Sequence, residues 1–381
     1  MANPSPSGQH HPRNMTVKLS PVLRPDFGRS IGFVAGGMGD QIYHLTQLRA
    51  LASASLDGQI DIACIHPGPL GALLAHTTWV NRIIDARPFR RYLPGIRGGK
   101  DVAALRTNAY DAGFVLHRST SFKLAARAAN IKMCAGLCDG MIDRLLLDHP
   151  IHLEDGGQRR TLWGHRPFIG AIDSYVMQMG LRLDTDMPTI IPGKDETELV
   201  AAMLADLPRP IHIINMFALD PARRWPIDSA IALIATLARN TGGSFLLNAG
   251  PDASDYHDAA MQKWRDIARK TNGVRQSQLA DCLKLQPSME KDVALYHQAD
   301  IYIGVDSFTA NLALNCNLPA VILFAHERDV LRYRDAVWPI VAPESGIIGT
   351  IAHDNIMTGV GRITQKWAKQ RKARALDYAP E

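Results

Sequence analysis

The 381-residue chain holds no apolar run of the roughly eighteen residues that a membrane-spanning helix needs. Its first residues also lack the charged-then-apolar order of a secretory signal, so a cytoplasmic protein is expected. Cysteine is scarce: Cys64, Cys134, Cys138, Cys282 and Cys316 are odd in number and fit no paired motif, which points to reduced thiols rather than a disulfide framework. Cys134 and Cys138 have the spacing of one helical face, yet no second pair or nearby histidine completes a metal site, and neither a metal nor another cofactor is expected. Neither sign of charge dominates. With 42 Lys and Arg against 37 Asp and Glu the net charge is +5, suited to acidic small molecules or an anionic surface and too mild for a dedicated nucleic-acid binder. What is present, 46% hydrophobic and 21% charged residues, describes a soluble globular protein with room for two domains.

Residues 1–28 carry Pro4, Pro6, Gly8, Pro12, Pro21 and Pro25 with little apolar periodicity, and a flexible leader is expected there. The stretch that organises the rest comes next. Ile31-Gly32-Phe33-Val34-Ala35 is a run of buried-strand length, Gly36, Gly37 and Gly39 permit a tight turn, and Asp40 opens an amphipathic helix that continues through Leu51. An acid at a helix start suits the positive end of the helix dipole, and glycines there let a ligand approach the backbone. Asp40 is therefore a candidate for chemistry and equally a candidate for helix capping.

A strand-helix rhythm follows, with strands at 59–65, 81–85, 109–117 and 131–137 and helices from Leu70 to His76 and from Lys123 to Asn130. The segment from Arg87 to Lys100, rich in Pro, Gly and positive charge, interrupts it and reads as an exposed loop. Its Arg90, Arg91 and Arg97 are candidate contacts for an anionic acceptor, or simply solvated charges. Residues 140–164 read as irregular, and helices are expected at 172–179 and 196–204. Pro208-Arg209-Pro210 marks the domain boundary, giving 29–207 and 208–345 as two Rossmann-like α/β units with a basic helical segment at 346–381. In the second unit strands are expected at 211–215, 244–248, 300–305 and 320–324, with helices at 227–240, 253–271, 289–298 and 307–315. Ligand clefts of such units lie at the carboxyl ends of the strands. The last segment, Ile363 to Leu376, reads as a basic helix, either drawn to an anionic leaflet or packed back on the other domain.

Three motifs in fixed order resemble the heptosyltransferases of glycosyltransferase family 9. They are Gly36-Gly37-Met38-Gly39-Asp40 with Leu45 to Leu51, then Arg223-Arg224-Trp225-Pro226, and then Gly304-Val305-Asp306-Ser307 leading to Leu318-Pro319-Ala320 and Phe324. Asn248-Ala249-Gly250-Pro251-Asp252 is a weaker fourth. The resemblance implies a GT-B architecture, two α/β domains facing across a cleft. It implies an inverting, metal-independent glycosyltransferase that moves a sugar, by default heptose from ADP-heptose, to a lipopolysaccharide-core or related surface glycan. Residue by residue, Asp40 becomes the general base, Arg223 a phosphate contact, and Asp306 a contact to a donor hydroxyl. The backbone of Ser307, Phe308, Thr309, Ala310 and Asn311 becomes the diphosphate site. The partners implied are a nucleotide-sugar donor and an anionic glycan or glycolipid, and the basic loop at 87–100 and the basic tail would suit peripheral contact with the inner membrane.

Three places depart from the family pattern: Phe308 stands where it has glycine, Asn311 where it has histidine, and Ala325-His326-Glu327 follow Phe324 in place of its Gly-Pro-Thr. These leave open another nucleotide sugar, a protein acceptor, or a non-catalytic sugar-nucleotide or glycan-binding module. A dinucleotide oxidoreductase fits less well, because Ile42 occupies the third glycine position of that fingerprint.

Overall fold

The computed structural model describes residues 26–152, 166–285, 288–326, 336–344 and 346–377. Most of the expected leader lies outside these. Phe27, placed in it by sequence, is nevertheless buried and meets Phe114 edge-on at 5.6 Å.

Two parallel sheets of six strands carry the fold. The first is built by β1 (Ser30–Phe33), α1 (Met38–Tyr43), α2 (Leu45–Ala52), β2 (Ile60–Cys64), α3 (Pro67–Leu74), β3 (Val80–Asp85), α4 (Arg87–Arg90), α5 (Gly99–Arg106), β4 (Ala112–Val115), α6 (Thr120–Ala128), β5 (Met133–Cys138), α7 (Met141–Leu146) and β6 (His149–His152). The helices α8 (Arg166–Gln178) and α9 (Lys194–Leu204) lead to the second sheet. There β7 (Ile211–Asn215), α10 (Ile227–Thr241), β8 (Ser244–Leu247), α11 (Ser254–Lys270), β9 (Leu279–Asp281) and α12 (Met289–Gln298) come first. They are followed by β10 (Ile301–Val305), α13 (Phe308–Asn315), β11 (Ala320–Phe324), β12 (Val337–Val341) and α14 (His353–Asp377). Central strands such as Ile301-Tyr302-Ile303-Gly304-Val305 and Ala320-Val321-Ile322-Leu323-Phe324 are buried throughout, as strands covered by helices on both faces must be.

Strand order is β3-β2-β1-β4-β5-β6 in the first sheet and β12-β11-β10-β7-β8-β9 in the second. Each sheet therefore reverses its winding at one place, between β1 and β4 and between β7 and β10. The chain leaves such a switch point in opposite directions and opens a crevice at the strands' carboxyl ends. The glycine turn follows β1, and Asp306 follows β10.

The sheets are joined where α1 packs on α13. A Cβ on Gly39 would lie 3.3 Å from Asn311 Nδ2 and 3.6 Å from the Phe308 Cα, so the helices meet almost backbone to backbone. Deeper in, the buried Asn315 donates through Nδ2 to Ile42 O (3.0 Å) and Asn311 O (2.8 Å), and its Oδ1 accepts from Thr189 Oγ1 (2.5 Å). One amide thus ties the end of α1, the body of α13 and the connecting segment together.

Several expectations need correction. The segment 87–100 is not one loop, because α4 and the first residues of α5 lie in it. Within the 140–164 stretch, read as irregular, α7 and β6 form over residues 141–152, and the glutamate-aspartate-glycine part lies outside the described residues. Cys134 and Cys138 lie on the strand β5, not on a helix. All five cysteines are free and buried, and burial pushes the Cys64 and Cys134 thiols up to about 12 and about 11, which keeps them protonated. The terminal helix starts at His353, and its Ile356, Val360 and Ile363 belong to the core of the second sheet.

Replacing Asn315 by alanine removes the three side-chain hydrogen bonds from a dry site, leaving the Ile42 carbonyl only the His44 N–H and the Thr189 hydroxyl only the backbone carbonyl of residue 315 at 3.3 Å. We expect a loss of about 1–3 kcal/mol in denaturant unfolding, with the helical content unchanged.

Candidate active-site cleft

A cleft of about 720 Å³ opens between the two switch points. Asp40, Gly37 and Gly39 line it from the first sheet, and Arg223, Asp306, Ser307, Phe308, Thr309 and Asn311 line it from the second. Residues from motifs nearly two hundred positions apart in sequence thus form facing walls. Gly36 and Ala310 stand behind this lining, and Arg90, Arg91 and Arg97 are exposed on α4 and the turn after it, outside it.

Asp40 occupies the first turn of α1, and its Oδ2 accepts from the Gly37 N–H at 2.8 Å. Capping and exposure to the cleft thus coexist in one carboxylate. Gly36 has φ +98°, a conformation suited to glycine, and a Cβ there would lie 2.5 Å from Asp40 Oδ2. Gln41, fully buried, donates to the Gly36 and Gly37 carbonyls (3.2 and 3.3 Å) and accepts from His66 N–H (3.3 Å), which pins the turn to the end of β2.

On the opposite wall Arg223 Nη1 lies 3.6 Å from Asp306 Oδ2, and its Nε lies 3.6 Å from Asp220 Oδ2. Pairing this loose leaves the guanidinium able to take an incoming anion. Arg224 is engaged differently, stacked 4.5 Å from the Phe217 ring and donating to Ala218 O at 2.9 Å. The tryptophan of the motif is fully buried and anchors this loop through Trp225 N to Met216 O (2.9 Å).

Beneath α13 lies a polar network. Asn215 Nδ2 donates to Ser307 Oγ and Thr309 Oγ1, 2.7 Å each, and Tyr302 OH sits 3.1 Å from Thr309 Oγ1. Gly304 makes room for this, since a Cβ there would fall 2.6 Å from Asn215 O and 2.7 Å from Tyr302 OH. Because its hydroxyl is drawn into this network, Ser307 gives α13 no side-chain cap. The first turn of the helix thus presents backbone N–H groups at the positive end of its dipole. Asn311 donates to Ser307 O at 2.9 Å, while its Oδ1 is buried with no hydrogen-bond partner among the described residues.

Sequence reasoning did not single out Asn215, Phe217, Tyr43 or His66 of the lining. Asn215 carried one signal, a lone amide ending the apolar strand Ile211-His212-Ile213-Ile214. The weak fourth motif does reach the site, because Ala249, Gly250 and Asp252 line the cleft. That turn is braced by Asn248, which donates to Asp292 Oδ1 (2.9 Å) and accepts from Tyr296 OH (2.8 Å). Desolvation raises the Asp292 carboxyl from 3.8 to about 6, opposed by the Asn248 hydrogen bond.

No protein-family model matches the chain, and no curated protein matches it significantly by sequence. Solved structures do match in fold. A glycosyl transferase of family 9 from Veillonella parvula superposes with a TM-score of 0.69 at 13% identity, over 90% of this chain and 98% of that one. The E. coli ADP-heptose lipopolysaccharide heptosyltransferase II gives 0.66 at 17% identity, over 89% and 99%. An E. coli heptosyltransferase solved with ADP-2-deoxy-2-fluoro heptose gives 0.60 at 14% identity, over 88% and 99%. The chain thus has the two-sheet GT-B fold of these glycosyltransferases.

A carboxyl group whose pKa is raised in the folded chain favours folding at low pH. Its contribution is fully present below 3.8 and is lost as pH rises through about 6. Asp292→Asn keeps an acceptor for Asn248 but removes the buried charge. We expect it to raise the melting temperature at pH 8 by roughly 2 °C or more and to leave it nearly unchanged at pH 3.

Proposed function

We propose that this protein is an inverting glycosyltransferase that moves a sugar from an ADP-sugar, ADP-heptose by default, to an anionic surface glycan or glycolipid of the lipopolysaccharide-core type. The observation that carries the reading is the meeting of Asp40 with Arg223, Asp306 and the start of α13 across one cleft. Glycosyl transfer releases a nucleoside diphosphate whose extra negative charge needs stabilising. A loosely paired guanidinium and uncapped N–H groups at a helix start are suited to that task.

In this mechanism the donor diphosphate lies at the N–H groups of Phe308, Thr309 and Ala310, with Arg223 beside it and Asp306 holding a sugar hydroxyl. The acceptor enters from the first-sheet wall. Asp40 takes the proton of its attacking hydroxyl as the new bond forms at the anomeric carbon, and the diphosphate leaves on the opposite side. Displacement from the face opposite the leaving group inverts the anomeric centre. The glycine turn and Gln41 fix where the carboxylate stands. Arg90, Arg91 and Arg97 lie on the carboxyl-end side of the first sheet, from which an anionic acceptor would approach.

Asp40→Asn separates the two uses of this side chain, because the amide oxygen still accepts from Gly37 N–H while the basicity is gone. We expect transfer from ADP-heptose to fall at least about a hundredfold with the melting temperature held. Wild-type turnover in this variant would overturn the mechanism. A thermal-shift comparison of ADP, UDP, GDP and NAD tests the donor: stabilisation by ADP alone is expected, since a ligand that binds only the folded state raises its melting temperature. A shift with UDP or GDP instead would replace the heptose assignment, and a shift with NAD would replace the whole reading.

A further inference from the structure

The short helix α7 is turned inside out. Its Asp143 is buried and accepts from the fully buried Lys123 Nζ at 2.5 Å and from Thr120 Oγ1 at 2.8 Å. Its apolar residues face outward instead, with Met141, Ile142 and Leu145 exposed by 80%, 64% and 77%. Helices of soluble proteins place these residue types the other way round. A buried ion pair is weak support for stability in itself, so the orientation it imposes calls for a use.

A second apolar prominence lies in the same layer. After α4 the turn closed by the Leu93–Arg97 bridge exposes Ile96 by 75% and Leu93 by 48%. Both α4 and α7 pack on α6, and Phe89 of α4, Phe122 of α6 and Leu147 just after α7 share one core cluster. Both elements also start at the carboxyl ends of their strands, β3 and β5, the edge from which the Asp40 turn leaves β1.

The charge around these prominences is mostly positive, with the exposed Asp139 paired to Arg118. Residues 86–147 hold eleven Lys and Arg against four Asp and no Glu, a net +7 in a chain of net +5. Arg90, Arg91, Arg97, Lys100 and Arg144 are exposed, and none has an ion-pair partner among the described residues. Outward apolar side chains ringed by unpaired cations match an anionic lipid surface, where the apolar groups enter the acyl boundary and the cations meet headgroup phosphates.

We infer that the α7 face, together with the Leu93–Ile96 turn, docks the protein on an anionic phospholipid bilayer, with the carboxyl edge of the first sheet toward the membrane. The inference goes beyond the proposed activity and does not require it. It places the acceptor side of the cleft at the lipid surface and leaves the second sheet on the aqueous side.

Co-sedimentation of the full chain with vesicles tests this without any substrate. Binding is expected to phosphatidylglycerol–phosphatidylethanolamine vesicles and not to phosphatidylcholine vesicles, weakening as salt screens the cations. The triple variant Met141→Ser, Ile142→Ser, Leu145→Ser should keep the melting temperature and lose at least about tenfold in vesicle affinity. Met141→Trp should shift its fluorescence to the blue on anionic vesicles. Failure of the wild type to bind these vesicles, or unaltered binding by the triple variant, would overturn the inference. So would a wild-type dimer that the triple variant converts to a monomer, since the face would then cover a second copy of the chain.

Discussion

The close approach of α1 to α13 is the contact on which the rest of the molecule depends. Gly39 eases it, because a Cβ there would lie 3.3 Å from Asn311 Nδ2, and it is locked by the Asn315 amide, which bonds to α1, to α13 and to the connecting segment. A buried amide with both ends satisfied is directional in a way that apolar packing is not. It sets how the two sheets face each other. Each sheet has its own switch-point crevice, and this contact turns two half-sites into one cleft.

Within that cleft each wall has a second layer that fixes the first. Gln41 holds the carbonyls of the glycine turn, so Asp40 is presented by a turn with little freedom to move. Across from it, Asn215 and Thr309 occupy the Ser307 hydroxyl that would otherwise cap α13, with Tyr302 behind Thr309, so the helix start keeps its N–H groups for the cleft. Arg224 and Trp225 shape the loop that presents Arg223. In the second motif the division is sharp: Arg223 alone lines the cleft, and its neighbours position it.

The outer layer of the first sheet follows a different logic. Its cations and outward apolar residues do nothing for the core, and the buried Lys123–Asp143 pair holds α7 with its polar side inward. The same sheet edge carries the candidate base, so whatever meets this surface lies at the mouth of the cleft.

Much of this was legible in the chain itself. Apolar runs of strand length marked the central strands, glycines and prolines marked the turns between them, and three short motifs fell on elements that line the cleft. The edge strands β6, β9 and β12 were not legible. His149-Pro150-Ile151-His152, Leu279-Ala280-Asp281 and Val337-Trp338-Pro339-Ile340-Val341 are short or broken by proline, which an edge tolerates because one side of its backbone goes unpaired. Nor did the sequence show that Asp143 faces inward, that Asn215 lies beneath α13, or that Asn315 joins the two sheets. Local pattern determines which element a segment becomes, because backbone sterics and the alternation of apolar residues act over a few residues. Which buried polar group meets which partner is settled only by long-range packing, and here that packing brings Asp40 and Asp306, 266 positions apart in the chain, into one cleft.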